Sequence, residues 1–128
     1  MSSTKPLAAK LFIKENYHIL LVNAPEDYPS RLEPLPKGAT ITTVLCDEND
    51  FIQVFLLNRK EMEQQLGALK VHLKHDGWLW VSYQKGGSKI KTDINRDSIW
   101  NYAKGLGLKA VHQIALDDTW SAMRFRIE

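Results

Sequence analysis

Apolar residues occur along this chain in short runs that polar and proline-rich segments separate. Residues 17–23 (YHILLVN) and 51–57 (FIQVFLL) are almost continuously apolar, which is typical of strands covered on both faces. Residues 39–45 (ATITTVL) are rich in β-branched side chains, and residues 78–83 (WLWVSY) are rich in aromatic ones. These four segments predict four strands.

Helical spacing appears between the predicted strands. Leu7, Ala8, Leu11 and Phe12 predict a leading helix within residues 4–13. Prolines at positions 25, 29, 34 and 36 leave room for one helical turn at most, between residues 28 and 33, because each removes a backbone donor.

Two longer helices are predicted from their capping residues. Asn58, with Glu61 three residues later, resembles a capping box. The helix behind it is expected to end before Gly77, and its apolar stripe consists of Met62, Leu66, Leu69 and Leu73. Asn95 is expected to begin a helix to about Lys104, whose inward residues are Ile99, Ala103 and Leu106.

The remaining residues predict an antiparallel pair of strands, over 108–116 and 119–127, joined by a tight turn at Asp117 and Asp118. In the last strand Arg124 and Arg126 fall on one side, which must meet water or a partner. Strands that alternate with helices and then a hairpin predict the α/β class. We expect one three-layer domain over residues 1–128, with a mostly parallel sheet and helices on both faces.

Composition narrows the class of protein only slightly. The length of 128 residues suits one domain, and 17 Lys and Arg against 15 Asp and Glu do not favour a nucleic-acid partner. Cys46 is the only cysteine, so no internal disulfide can form, and we interpret it as a buried structural thiol. Without a signal peptide or membrane-spanning run, we expect a cytoplasmic protein. The four scattered histidines predict no metal site.

The end of the first predicted strand argues against a common class of cofactor site. Ligands of open α/β sheets bind at the carboxyl ends of the strands, and dinucleotide sites place glycines after the first strand. Here the strand ends in Asn23, Ala24 and Pro25, and no glycine lies between Tyr17 and Lys37. The dinucleotide fingerprint is therefore absent.

Four segments, VNAPEDY, FIQVFLLN with its following helix, GWLWVSYQK and DDTWSAMRF, resemble a family of small, uncharacterised bacterial proteins. That family is related in fold to S-adenosylmethionine (SAM)-dependent methyltransferases, and the resemblance extends from about Leu11 to Phe125. It implies a methyltransferase-like sheet with the second strand at one edge and the last strand beside the fourth. It implies no particular reaction.

The segment Asn23-Ala24-Pro25-Glu26 stands where methyltransferases carry their glycine-rich loop, so the first β-loop is degenerate. We therefore expect no cofactor, with SAM as the alternative. In such enzymes an acidic residue after the second strand commonly binds the ribose of the cofactor. Asp47 or Glu48 lies near that place, although acidic residues also occupy ordinary turns.

A second candidate region follows the fourth strand. Its glycines and three lysines, Lys85, Lys89 and Lys91, would suit an anion such as phosphate or carboxylate, or would form an ordinary solvated loop. The hairpin tip is expected at the same edge, because the fifth strand should run parallel to the fourth. The resulting candidate ligand-binding rim consists of Asn23, Ser82, Lys85, Lys89, Thr92, Asp93, Asp118, Thr119 and Trp120. Turn, helix-capping and core roles are the alternatives for these residues.

No catalytic residue can be named from the sequence. It contains no nucleophile elbow, and Ser82 has no base in a recognisable motif. Our first hypothesis is a non-enzymatic methyltransferase-like domain that binds a small anion or a protein partner at the carboxyl ends of the strands. The alternative is a divergent SAM-dependent methyltransferase. We expect neither a membrane nor a nucleic-acid partner.

Overall fold

A computed structural model describes residues 6–45, 48–85 and 93–128. Its elements, in chain order, are α1 (Leu7–Lys10), β1 (His18–Val22), α2 (Tyr28–Arg31), β2 (Thr40–Thr42), β3 (Asn49–Leu56), α3 (Arg59–Val71), β4 (Leu73–Gln84), α4 (Arg96–Gly105), β5 (Leu108–Ala115) and β6 (Trp120–Ile127). The six strands form one sheet in the order β2-β1-β3-β4-β6-β5.

The sheet is parallel in its first four strands and antiparallel around the last. β1 pairs in parallel with β2 and β3, and β3 pairs in parallel with β4. β6 lies antiparallel between β4 and β5. The predicted α/β class is confirmed, as are the edge position of the second strand and the position of the last strand beside the fourth.

Helices cover both faces of the sheet, which makes three layers. On one face, α3 and α4 pack on aliphatic strand residues such as Ile52, Val54 and Val81. On the other face, α1 and α2 pack on larger side chains, including Phe51, Phe55 and Trp80. Side chains alternate between the faces because successive residues of a strand point to opposite sides.

The predicted caps of the longer helices are confirmed. Asn58 Oδ1 accepts a hydrogen bond from the Glu61 amide at 2.8 Å, although the Glu61 carboxylate accepts from the Leu57 amide and not from that of Asn58. Asn95 and Ser98 form a reciprocal capping box at the start of α4. Each cap satisfies amides that the first helical turn leaves without partners.

Three predicted boundaries are wrong. The leading helix ends at Lys10, because Phe12 adopts a left-handed backbone with φ of 60° and breaks it. The helix predicted through Leu73 ends at Val71, because β4 begins at Leu73 and pairs with Asn49 of β3. Gly77 therefore lies inside β4, where a Cβ atom would come within 3.0 Å of the Asn49 carbonyl oxygen.

The second strand is shorter than predicted, at three residues, and among the described strands it pairs with β1 alone. The predicted single turn after Tyr28 is confirmed as α2. Cys46 and Asp47 lie outside the described residues. Within the described ranges, no helix is long and apolar enough to cross a membrane.

Candidate functional site

A cleft of about 510 Å³ opens at the carboxyl end of β1. From β1 the chain passes to β2 on one side, and it then returns to β3 on the other side. Such a reversal of strand order leaves a crevice where ligands of α/β proteins bind. We call this crevice the β1 cleft; its lining residues are Leu20, Leu21, Val22, Asn23, Ala24, Pro25, Glu26, Pro29, Thr43, Leu45, Gln65 and Leu69.

Asn23 turns the chain at the mouth of the β1 cleft. Its φ of 58° lies in the left-handed region, which glycine enters freely and which asparagine tolerates better than most other residues. The chain thus makes a sharp turn after β1 without a glycine. Sequence analysis recognised that a glycine is missing here but not that Asn23 takes its place. The signal was the residue type, because asparagine tolerates the left-handed region.

The lining of the β1 cleft is mostly apolar, and its charge is negative. Glu26 is the one ionisable side chain among the described lining residues, and Asn23, Thr43 and Gln65 are polar but neutral. No described lysine, arginine or histidine lines it. Such a surface suits a ligand with an apolar body and a neutral or positive polar part, because a negative group would meet Glu26 without a compensating cation.

A buried chain of hydrogen bonds holds the segment that forms one wall of the cleft. Tyr28, the first residue of α2, is fully buried and donates its hydroxyl to Gln53 Oε1 at 2.8 Å. Gln53 Nε2 in turn donates to Ser82 Oγ at 3.0 Å. Burial raises the pKa of Tyr28 well above its usual value, so the phenol stays protonated and remains a donor. Three neighbouring elements, α2, β3 and β4, are thereby linked.

Ser82 therefore belongs to the interior and not to an accessible rim. It is fully buried beneath α2. Trp120 takes the alternative role of a residue at the edge of the core. It packs edge-on against Phe55, with ring centroids 5.1 Å apart.

The hairpin tip does lie beside the end of β4, as predicted. The Lys85 amide donates to the Thr119 carbonyl at 2.8 Å. Asp118 and Thr119 are exposed there. Lys89, Lys91 and Thr92 lie outside the described residues.

The remaining candidates do not join these residues in one pocket. Asp93 Oδ1 accepts from the Arg59 amide at 2.6 Å and so caps α3. Of the described rim residues, Asn23 alone lines the β1 cleft. Glu48 lines another cleft, together with Lys74 and His75. Among residues 6–45, 48–85 and 93–128, no group of three His, Cys, Asp or Glu side chains could hold a metal ion.

Sequence analysis predicted Asp117 in the hairpin turn but not that this residue ties the hairpin to α2. Its Oδ1 accepts from the amides of Thr119 and Trp120, and its Oδ2 pairs with Arg31 at 3.1 Å. Burial alone would raise the pKa of Asp117, but these two amides and the guanidinium outweigh burial and lower it. The signal was an aspartate two residues before Thr119, a spacing at which a side chain caps its own turn.

Comparison with solved structures identifies the architecture. The chain is similar to a SAM-dependent methyltransferase from Aquifex aeolicus, with a TM-score of 0.66, 11% identity, and coverage of 94% of this chain and 89% of that one. A TehB-like SAM-dependent methyltransferase from Corynebacterium glutamicum gives a TM-score of 0.60 and 12% identity, covering 99% and 90%. The fold is methyltransferase-like. DhpI in complex with S-adenosylhomocysteine (SAH) matches it at a TM-score of 0.66 and 8% identity, covering 95% and 83%.

At these identities the likeness concerns the methyltransferase-like fold. No family model matches the sequence, and no protein of curated function matches it either. The fold that the four sequence segments implied is confirmed. The neighbours fit our alternative hypothesis, a SAM-dependent methyltransferase, better than the non-enzymatic interpretation.

Proposed function

We propose that this protein binds SAM in the β1 cleft and is a divergent SAM-dependent methyltransferase. The observation that carries the proposal is the cleft itself. It opens at the strand reversal of a methyltransferase-like sheet, and Glu26 is its one charged group among the described residues. The fold alone would be a weak reason for a function, so the proposal depends on how the lining residues fit the ligand.

The charge of the cleft suits SAM. SAM carries two positive groups, a sulfonium and an ammonium, against one carboxylate, so its net charge is positive and Glu26 attracts either cation. Pro25, Pro29 and Leu45 offer apolar surface for the faces of the adenine ring. A nucleotide phosphate, by contrast, would find no basic partner among the described lining residues.

Polar groups on two walls can orient the ligand. Asn23 presents an amide at the end of β1, and Gln65 presents another from α3. Both amides donate and accept, so they suit hydroxyl and carboxylate groups. Pro25 has no N–H, so this turn offers one backbone donor fewer than a glycine-rich loop would.

Rigidity of the turn compensates in part for the missing glycines. Pro25 and Pro29 restrict the backbone on either side of Glu26, and the Tyr28 hydroxyl anchors the segment to β3. A wall that is fixed before binding loses less conformational entropy when the ligand enters.

When bound, SAM supplies an electrophilic methyl group. The role of the protein's own residues would be to hold SAM and orient it toward the acceptor, since positioning provides much of the rate acceleration in such a transfer.

Methyl transfer can be tested by incubating the protein with methyl-labelled SAM and, in separate reactions, with small-molecule, protein and RNA fractions. Label retained in one fraction would assign the acceptor class.

Binding is tested by titration calorimetry with SAM and SAH, using Glu26→Gln and the matched control Asp27→Asn. We expect micromolar binding by the parent protein. Loss of the Glu26 charge should weaken SAM binding roughly three- to tenfold, since one partly exposed charge contact contributes about 1 kcal/mol. Asp27 neighbours Glu26 but does not line the cleft, so Asp27→Asn should bind like the parent.

Failure of the parent protein to bind either ligand would contradict the proposal. The non-enzymatic interpretation would then remain, with an anion or a protein partner at the carboxyl ends of the strands. Equal affinities for parent and Glu26→Gln would place SAM outside the β1 cleft.

A further inference from the structure

Arg124 lies on the side of β6 that was predicted to meet water or a partner. It pairs with Trp80 across β4 and with His112 across β5. It lies on the α1 face of the sheet, near the carboxyl end of β6. Because β6 is antiparallel to β4, this is the opposite end of the sheet from the β1 cleft.

Two aromatic rings hold the Arg124 guanidinium. Its central carbon lies 3.5 Å from the centroid of the Trp78 ring and 4.3 Å from that of Phe12. Contacts of this kind engage the flat faces of a guanidinium, and they leave its N–H groups directed outward from the edge of the plane. Arg124 is therefore positioned before any ligand arrives.

The donors around Arg124 lack acceptors. Within the described part of the chain, no carboxylate forms an ion pair with Arg124, and its buried Nε has no hydrogen-bond partner. Trp80, its cross-strand neighbour, is fully buried, and its indole N–H has no partner among the described residues either. Two adjacent buried donors without acceptors are unusual, because each costs free energy.

The charges beside Arg124 are mainly positive. Lys109 and Arg126 are cross-strand partners on the same sheet face, and both are exposed, as is His112. The nearby acidic side chains are Asp76, which lines a cleft of about 300 Å³ with Trp78 and Arg126, and Asp50, which forms an ion pair with Lys74 at 3.0 Å. Two carboxylates against four permanent cations, Lys74 included, leave this surface positive.

From this geometry we infer a second binding site, centred on Arg124, for the carboxylate or phosphate group of a small ligand. Two oxygens of such a group match the parallel N–H donors at a guanidinium edge. Stacking has already restricted the side chain, so little further entropy is lost on binding. The inference is independent of the β1 cleft and of SAM.

The site can be tested by NMR titration with inorganic phosphate and, separately, acetate, at constant ionic strength maintained with chloride. We expect saturable shifts of the Arg124 Nε–H and Trp80 indole signals. Arg124→Lys keeps the charge but loses the planar edge, and it should weaken binding at least about tenfold. Arg96→Lys, on the other face of the sheet, is the matched control and should bind like the parent.

Saturation by phosphate alone would identify a phosphate group as the ligand, and saturation by acetate alone a carboxylate. Either result supports the site. Shifts that grow linearly without saturation, or that are equal in Arg124→Lys, would overturn it. Because these signals are read in the parent protein first, the inference is testable even where Arg124→Lys does not fold.

Discussion

The two faces of the sheet are built by different means. On one face, α3 and α4 extend over 13 and 10 residues and pack on a core that is mainly aliphatic, with Tyr83 and Phe125 among its members. On the other, α1 and α2 have four residues each. There the covering comes from aromatic rings and from the buried chain formed by Tyr28, Gln53 and Ser82.

The difference shows how a small chain retains specific contacts where helices are short. Apolar side chains can pack against many other apolar side chains, whereas a buried hydrogen bond requires its donor and acceptor in one defined arrangement. Both proposed sites draw on this second face: α2 anchors one wall of the β1 cleft, whose other wall comes from α3, and Arg124 contacts Phe12 after α1. Stability should therefore depend most on the first face, whereas both sites depend on contacts of the second.

The largest effect on stability is expected on the aliphatic face. Leu66 of α3 is fully buried, so Leu66→Ala should lower the free energy of unfolding by about 2–4 kcal/mol through lost burial and a cavity. Chemical denaturation measures this value. Gln64→Ala, on the exposed side of the same helix, should change little. A loss below 1 kcal/mol at Leu66 would show that this face repacks freely and is not the main source of stability.

An intermediate effect is expected from the buried hydrogen-bond chain. Tyr28→Phe keeps the ring but leaves Gln53 Oε1 without its donor, which should cost about 1–3 kcal/mol. The same variant should weaken SAM binding, because the wall of the β1 cleft loses its anchor. Tyr102→Phe removes a longer, exposed hydroxyl contact of 3.3 Å to the Glu63 carbonyl and serves as the control. Unchanged stability and SAM affinity in Tyr28→Phe would show that these buried hydrogen bonds do not hold the wall of the β1 cleft.

The smallest effect is expected at the surface bridge between α2 and the hairpin. Asp117→Asn keeps the Oδ1 that accepts two amides and removes the ion pair with Arg31, which should cost about 0–1 kcal/mol. Since folding lowers the pKa of Asp117 from 3.8, its charge stabilises the fold at neutral pH, and this contribution is lost as the pH falls through the lowered pKa.

Thermal melts of Asp117→Asn and its parent should therefore differ slightly at pH 7 and converge in strong acid. Asp118→Asn, at the neighbouring exposed position, should follow the parent throughout. A difference that persists after Asp117 is protonated would assign its role to shape and not to charge.

Much of the fold could be predicted from the sequence, because most of its helices and strands depend on residues that are close together in the chain. Asn58 and Asn95 begin helices since their side chains cap the residues that follow them. Leu73 was misassigned because a helix stripe and the start of a strand both require an apolar residue. Its pairing with Asn49 depends on a register that no local pattern contains.

The candidate site was less predictable for the same physical reason. The link from Tyr28 through Gln53 to Ser82 joins residues 25 and 29 positions apart, and it exists only once β3 and β4 are in register. Arg124 was recognised as exposed to water or a partner, but its stacking on Phe12 depends on the left-handed turn at that residue. Periodicity predicts which side of a strand a residue occupies, not what it meets there.

The place of β6 in the sheet has a consequence for how the protein is made. Among the six described strands, β5 pairs with β6, which is the last of them to leave the ribosome. Until then β5 lacks its partner among these strands, and the flank of β4 that will receive β6 stays open to other chains. Completion of the sheet thus waits until β6 has been synthesised, and slowing of translation near residue 120 should prolong exposure to chaperones or to aggregation.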